Sequence, residues 1–375
     1  MRVLVAPATY KECLSSVRAA GAMAEGVRRA RAEPVLLPLS DGGQGTTECL
    51  VRAARGRLQA VGVTGPLGRP VTASLGLLTN GRSAVLEMAA ASGLALVAPG
   101  ERDPMHATTR GTGELIRAAL NADAREILLG IGDSATCDGG AGMAQALGVR
   151  LLDKRGGPVG PGAAGLRDLA HIDVSRRDPR LADATLRIAC DVDNPLTGPH
   201  GAARVFGPQK GATPDQVRQL EEALRQLADV IRRDLRLDVF DLPGGGAAGG
   251  LGAGAVAFLG ASLQSGAETV LDILGVDDLL TRADLVLTGE GRLDAQSLAG
   301  KAPVALARRA KAVGVPCAAI PGSLGPGHEA ARDEGLTAIF PLVTNRVTLA
   351  DALARAETLL ADRAEEAVRR AAGRH

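Results

Sequence analysis

Apolar positions along this chain recur at two periods, and the alternation between them predicts an α/β protein. An unbroken apolar run over residues 3–6 reads as a buried strand. Helical spacing follows from Ser16 to about Arg31, with Ser15 or Ser16 as N-cap, then a strand over 35–39 and a helix over about 44–55. The C-terminal part repeats the alternation, with strands over 284–287, 317–320 and 338–342, a helix over 302–312 and a long amphipathic helix from about Leu349. Elements of these lengths in this order predict a parallel sheet covered on both faces.

The middle of the chain differs. From Val61 to Met88, short strand-like runs are broken by Gly, Pro and Asn, which predicts hairpins. Strands over 126–131 and 186–190 then alternate with helical segments, and loops rich in Pro and Gly follow around 156–165. The expected architecture is a Rossmann-like parallel-sheet domain, residues 1–65 and 266–375, with a second mixed α/β domain, 66–265, inserted into it. A chain of 375 residues with 46% hydrophobic content has the length for two such cores. The uncharged run 242–267 exceeds the roughly 20 residues of a membrane span. Its Gly and Ala supply little transfer free energy, so a glycine loop and a buried helix over about 250–262 are expected there.

Charge and composition narrow the function classes. With 43 basic and 42 acidic residues there is no global field to favour nucleic acid or an anionic membrane, and no Trp, one Tyr and four Phe offer no platform for stacking bases. The five cysteines are scattered without C-x-x-C spacing, and the N-terminus opens on a strand rather than a charged leader, so a cytoplasmic protein with reduced thiols is expected. Lysine is confined to Lys11, Lys154, Lys210, Lys301 and Lys311, all other basic residues being Arg. Where Arg serves for general charge, a retained compact ammonium draws notice. Lys11 and Lys210 lie in motifs below, and Lys301 follows the third of them closely.

Three segments join small residues to carboxylates, hydroxyls or amides: Gly130-Ile-Gly-Asp-Ser-Ala-Thr-Cys-Asp-Gly-Gly140, Cys190-Asp-Val-Asp-Asn-Pro-Leu-Thr-Gly198 and Thr288-Gly-Glu-Gly-Arg-Leu-Asp-Ala-Gln296. Such segments suit phosphate and a divalent cation. Gly42 and Gly43, and Gly139 and Gly140, each precede a helix and read either as anion-binding turns or as ordinary ones. Asp191 and Asp193 follow the strand 186–190 and alternate, so both can face one Mg²⁺ or substrate, with Asn194 as a neutral donor; a self-capping Asp-Asn-Pro turn is the competing reading. After the strand ending at Leu287, Arg292 is placed to pair with a substrate carboxylate, and Glu290 or Asp294 to act as general base or metal ligand; a salt bridge within the loop competes. Lys210 offsets phosphate charge or is a loop lysine. Ser134 and Thr136 donate to phosphate or cap a helix. The five histidines lie apart, without metal-ligand spacing. Gly244-x-Gly246-x-x-Gly249, with Glu268 downstream, fits a dinucleotide fingerprint, but Pro243 interrupts its approach and the strand context is missing; close backbone packing or a nucleotide contact is the alternative.

Together with Ala6-Pro-Ala-Thr-Tyr-Lys11, Asp41-Gly-Gly-Gln-Gly-Thr46, Gly111-Thr-Gly-Glu-Leu-Ile116, Phe206-Gly-Pro-Gln-Lys-Gly211, Gly244-Gly-Gly-Ala-Ala-Gly-Gly250 and Pro321-Gly-Ser-Leu324, these segments resemble, nearly end to end, the bacterial glycerate kinases that carry no Walker motif. The resemblance implies an active site in the cleft between the two domains and transfer of phosphate from ATP, with Mg²⁺, to D-glycerate, leaning toward the 2-position. It implies catalytic roles for Asp191, Lys210, Glu290 and Asp294, and substrate contacts for Arg292, Asn194, Lys11 and Ser134. Gly42, Gly43, Gly139, Gly140 and Thr136 are then expected on phosphate or nucleotide, and Asp41 and Asp193 on the metal. No nucleic-acid or membrane partner is expected, and a homodimer is left open. The pattern is broken at Ala8 and Gln44, where the family usually has Asp and Glu, and at Asp133 and Cys137, where it usually has Gly and Asn. Ala8 and Gln44 support a second reading, a ligand-binding pseudokinase; a nicotinamide dehydrogenase is third, on the fingerprint alone.

Overall fold

The computed structural model describes residues 1–10, 13–40, 45–79, 81–298 and 300–373, which form two compact units. Met1–Asp41 and Ser265–His375 make the first. Its five-stranded, all-parallel sheet runs in the order Leu336–Ile339, Cys317–Ala319, Leu285–Gly289, Arg2–Pro7, Glu33–Leu36. Alternation along the central strands divides the core. Val3, Val5, Leu285 and Leu287 face the helices Ser16–Arg29 and Ala356–Ala371, whereas Leu4, Ala6 and Val286 face Gly266–Ile273 and Ala302–Ala312. Ser15 is the N-cap of the first helix, its hydroxyl accepting from the Arg18 N–H at 3.3 Å. The single long C-terminal helix expected from Leu349 is two helices, Leu349–Ala354 and Ala356–Ala371, separated at Arg355. The strands expected over 35–39 and 338–342 start earlier, at Glu33 and Leu336.

Gly42–Gln264 forms the second unit around a six-stranded mixed sheet, ordered Ser262–Gln264, Thr185–Ala189, Glu126–Gly130, Ser83–Glu87, Pro70–Leu77, Arg57–Thr64. The first four strands are parallel, and the last two join them as antiparallel hairpins. This pairing moves the first crossing from near residue 65 to 41, because Arg57–Thr64 is bonded along its whole length to Pro70–Leu77 and the helix Thr46–Ala53 packs on that hairpin. The run 242–267 holds a loop, the segment Ala247–Leu259, which is helical after the left-handed residues Ala248, Gly249 and Gly250, and the short strand Ser262–Gln264. No helix among the described residues is long and apolar enough to cross a membrane.

Candidate active site

The strand Leu285–Gly289 is wholly buried, and the chain turns at its C-terminal end into Glu290, where parallel sheets expose their loops to ligands. A side chain at Gly289 would place Cβ 2.3 Å from the Tyr10 hydroxyl and 2.4 Å from the Ile320 carbonyl, so only glycine admits this approach. Tyr10, buried, donates to that carbonyl. Burial first, then the charge of Glu290, pushes its phenol well above the usual range. Glu290 is itself 6% exposed. Its Oε2 stands 3.4 Å from Lys301 Nζ, while its Oε1 is buried with no hydrogen-bond partner among the described residues. Burial raises the Glu290 carboxyl above the usual range, against the Ser297 hydroxyl and the Lys301 ammonium, which lower it.

The loop is braced from the neighbouring turn, where Gly322 N–H donates to the Glu290 carbonyl at 2.9 Å and Arg292–Leu293 pairs in parallel with Ser323–Leu324. Arg292 projects outward, 60% of its side chain exposed, with Nε 3.4 Å from Asp294 Oδ2. Asp294 Oδ1 accepts from the Gln296 N–H at 2.9 Å at the start of the short helix Ala295–Leu298. Asp294 is thereby a helix cap and a partner of Arg292. Glu290 is the carboxylate in this loop with an oxygen to spare.

In the other unit, Asp191 and Asp193 are exposed on the loop after the strand Thr185–Ala189. Asn194 serves the turn: its amide donates to the His200 carbonyl at 2.9 Å, and its own carbonyl accepts from the Gly246 N–H at 2.9 Å. Among the described residues no group of three or more His, Cys, Asp or Glu could hold a metal ion.

The segment 134–140 is an internal polar knot. Lys210 is 2% exposed and donates to Ser134 Oγ at 2.6 Å and to the Thr136 carbonyl at 2.7 Å. Burial lowers its ammonium below the usual range, opposed by Cys137 and Asp138. Asp138, fully buried, accepts from the N–H and hydroxyl of Thr109 and from the N–H groups of Gly140 and Gly142 at 2.8–3.2 Å. Burial nevertheless sets its carboxyl above the usual range.

Several expectations change here. Gly139 N–H donates to the Gly249 carbonyl at 3.1 Å and Gly140 N–H to Asp138, so both donors are committed within the unit and neither is left for a phosphate. Ser134 is bonded to Lys210, and Thr136 Oγ1 is buried without a hydrogen-bond partner among the described residues. Lys210 ties two loops together rather than meeting solvent. The helix Thr46–Ala53 receives an internal anion, since Glu87 accepts from the Gly45 and Thr47 N–H groups at 3.1 and 2.6 Å. Lys11, Asp41, Gly42, Gly43 and Gln44 lie outside the described residues.

The glycine loop packs against the knot: a Cβ on Gly249 would stand 1.9 Å from the Thr136 carbonyl oxygen. No strand precedes it among the described residues 236–246, and Glu268 pairs with Arg309, so the dinucleotide fingerprint lacks its context. Asp133 has φ of +57°, a conformation glycine adopts without strain, and Cys137 lies in the apolar core. Ala8 is buried, and its N–H donates to the Gly289 carbonyl at 2.8 Å. Asp138, Glu87, Tyr10 and Lys301 received no role from sequence patterns. Asp before Gly-Gly at a helix start and the scarcity of lysine were the available signals for Asp138 and Lys301.

Comparisons agree along the whole chain. The model of the glycerate kinase family matches residues 3–372. A glycerate kinase of Halalkalibacterium halodurans is 48% identical over 96% of this chain and 95% of its own length. A glycerate 2-kinase of Escherichia coli is 47% identical over 94% of this chain and 93% of its own. A crystal structure from Salmonella typhimurium, provisionally named glycerate kinase 2, superposes with a TM-score of 0.90 at 48% identity, covering 100% of this chain and 98% of that one.

Proposed function

Since this chain belongs to the glycerate kinase family, we propose that it transfers the γ-phosphoryl group of ATP to the 2-hydroxyl of D-glycerate, with Glu290 as the proton acceptor. The observation that carries the chemistry is the buried Glu290 carboxylate with Oε1 unpartnered at the end of a parallel strand. Asp294, spent on a helix cap and on Arg292, is not the base.

In this mechanism the Arg292 guanidinium binds the glycerate carboxylate and orients the hydroxyl. The hydroxyl proton passes to Glu290 Oε1 as its oxygen bonds to the γ-phosphorus, and the bond from that phosphorus to the bridging oxygen breaks to release ADP. Mg²⁺, when bound with ATP, neutralises phosphate charge. Asp191 and Asp193 would hold it, and two exposed carboxylates fit an ion that keeps waters and phosphate oxygens as its remaining ligands. A cytoplasmic location is part of the proposal, consistent with five free cysteines. No observation on the described residues favours a non-catalytic pseudokinase.

The test is ATP consumption with D-glycerate, followed by phosphorus NMR of the product. The expected result is ADP release that needs both D-glycerate and Mg²⁺, with a 2-phosphate ester. Full activity in excess chelator overturns the metal's part, a 3-phosphate ester overturns the regiochemistry, and no D-glycerate-dependent turnover overturns the reading.

A further inference from the structure

Lys301 stands at the N-cap position of the helix Ala302–Ala312, its side chain making no capping bond, and its ammonium is the cation that reaches Glu290 among the described residues, 3.4 Å from Oε2. We propose that Lys301 is a positioning residue of the phosphoryl transfer. By engaging Oε2 it fixes the carboxylate so that Oε1 receives the substrate proton. The inference rests on the reading of Glu290 as base.

Three features support it. The pair is asymmetric, the Lys301 side chain 35% exposed and that of Glu290 9%, so their attraction is less screened than that of an exposed pair. The residue is a lysine in a chain that otherwise uses arginine for general charge. An ammonium is a point charge that can satisfy one carboxylate oxygen, whereas a guanidinium fork tends to take both and would close Oε1. Finally, of the other polar groups facing Glu290, Tyr10 is taken by the Ile320 carbonyl and Asp294 by Gln296 and Arg292, while the Ser297 hydroxyl, which accepts from the Asp294 N–H, is a neutral group that lowers the Glu290 carboxyl alongside Lys301, leaving Lys301 as the cation.

The sign of the pH effect follows. Burial pushes the Glu290 carboxyl up and Lys301 pulls it down. Without the ammonium, Glu290 binds its proton more tightly and the acid limb of the activity profile moves to higher pH.

The experiment is kcat/KM for D-glycerate against pH at saturating ATP and Mg²⁺, for the native protein, Lys301→Met, Lys301→Arg, Glu290→Gln and the double variant Glu290→Gln with Lys301→Met. Lys301→Met is expected to be slower by roughly tenfold or more at neutral pH, with the gap closing as pH rises. Lys301→Arg is expected to keep the native acid limb and lose plateau rate, because charge is retained while the fork covers Oε1. The double variant is expected to be no slower than Glu290→Gln, since Lys301 acts through that carboxylate. An equal loss at every pH in Lys301→Met, a native plateau in Lys301→Arg, or additive losses in the double variant would each overturn the proposal. A fully active Glu290→Gln instead overturns the base assignment itself, so the two failures are distinguishable. Thermal melts confirm folding, and Lys301→Arg, which preserves the charge, carries the test if Lys301→Met does not fold.

Discussion

The knot at 134–140 and the loop at 289–294 are built from the same kinds of residue, yet their hydrogen bonding assigns them different work. In the knot, Asp138 takes four donors and the Lys210 ammonium gives two short bonds, all inside one unit. In the loop, Glu290 is nearly as buried but shares one oxygen with Lys301 and has no partner for the other. A satisfied buried network specifies architecture, whereas a buried carboxylate with an unused oxygen is a destabilising feature that catalysis can use. The contrast teaches that small residues beside carboxylates mark polar interiors and reactive loops alike, and that the partners decide which is which.

The largest expected effect breaks this comparison if it fails. Glu290→Gln should lower kcat/KM by roughly a thousandfold, the scale of a lost general base, and leave the melting temperature unchanged or slightly raised, because a neutral amide is cheaper to bury. Kinetics and a melt on the same preparation check both halves. In the knot the balance reverses. Asp138→Asn should destabilise the inserted unit by about 2–3 kcal/mol, since an amide cannot accept from all four donors, and Lys210→Met should also lower the melting temperature. Both should retain most of their turnover per folded molecule. Rates that collapse without any change in melting would move the knot into the chemistry.

How far the sequence could have anticipated this differs between the two regions. The placement of Glu290 and Arg292 was legible because they follow an apolar strand directly, and the end of a parallel strand is where ligands bind. The knot was not, since the partners of Asp138 and Gly139 include Thr109 and Gly249, which no local pattern ties to a Gly-Gly turn. Seen locally, Gly139 and Gly140 look like anion donors. Their commitment to Asp138 and Gly249 is a tertiary fact. The first domain crossing was misplaced for a similar reason, because the strand Arg57–Thr64 is claimed by a hairpin partner that follows it. The alternation of apolar strands with amphipathic helices was enough to give the parallel sheet itself.

A smaller effect sharpens the account of the loop. Arg292→Lys should raise KM for D-glycerate by roughly tenfold with kcat little changed, because a point charge replaces a bidentate fork while the reacting atoms are untouched. An equal fall in kcat would mean that Arg292 acts in the transition state rather than in binding.

The most direct measurement is a calorimetric titration of D-glycerate into Glu290→Gln, set beside the native protein. If Glu290 acts in the chemical step, as its unpartnered Oε1 indicates, the variant should bind D-glycerate within a few-fold of the native Kd while turning over roughly a thousandfold more slowly. Binding weakened in proportion to the lost activity would contradict the account and make Glu290 a binding residue.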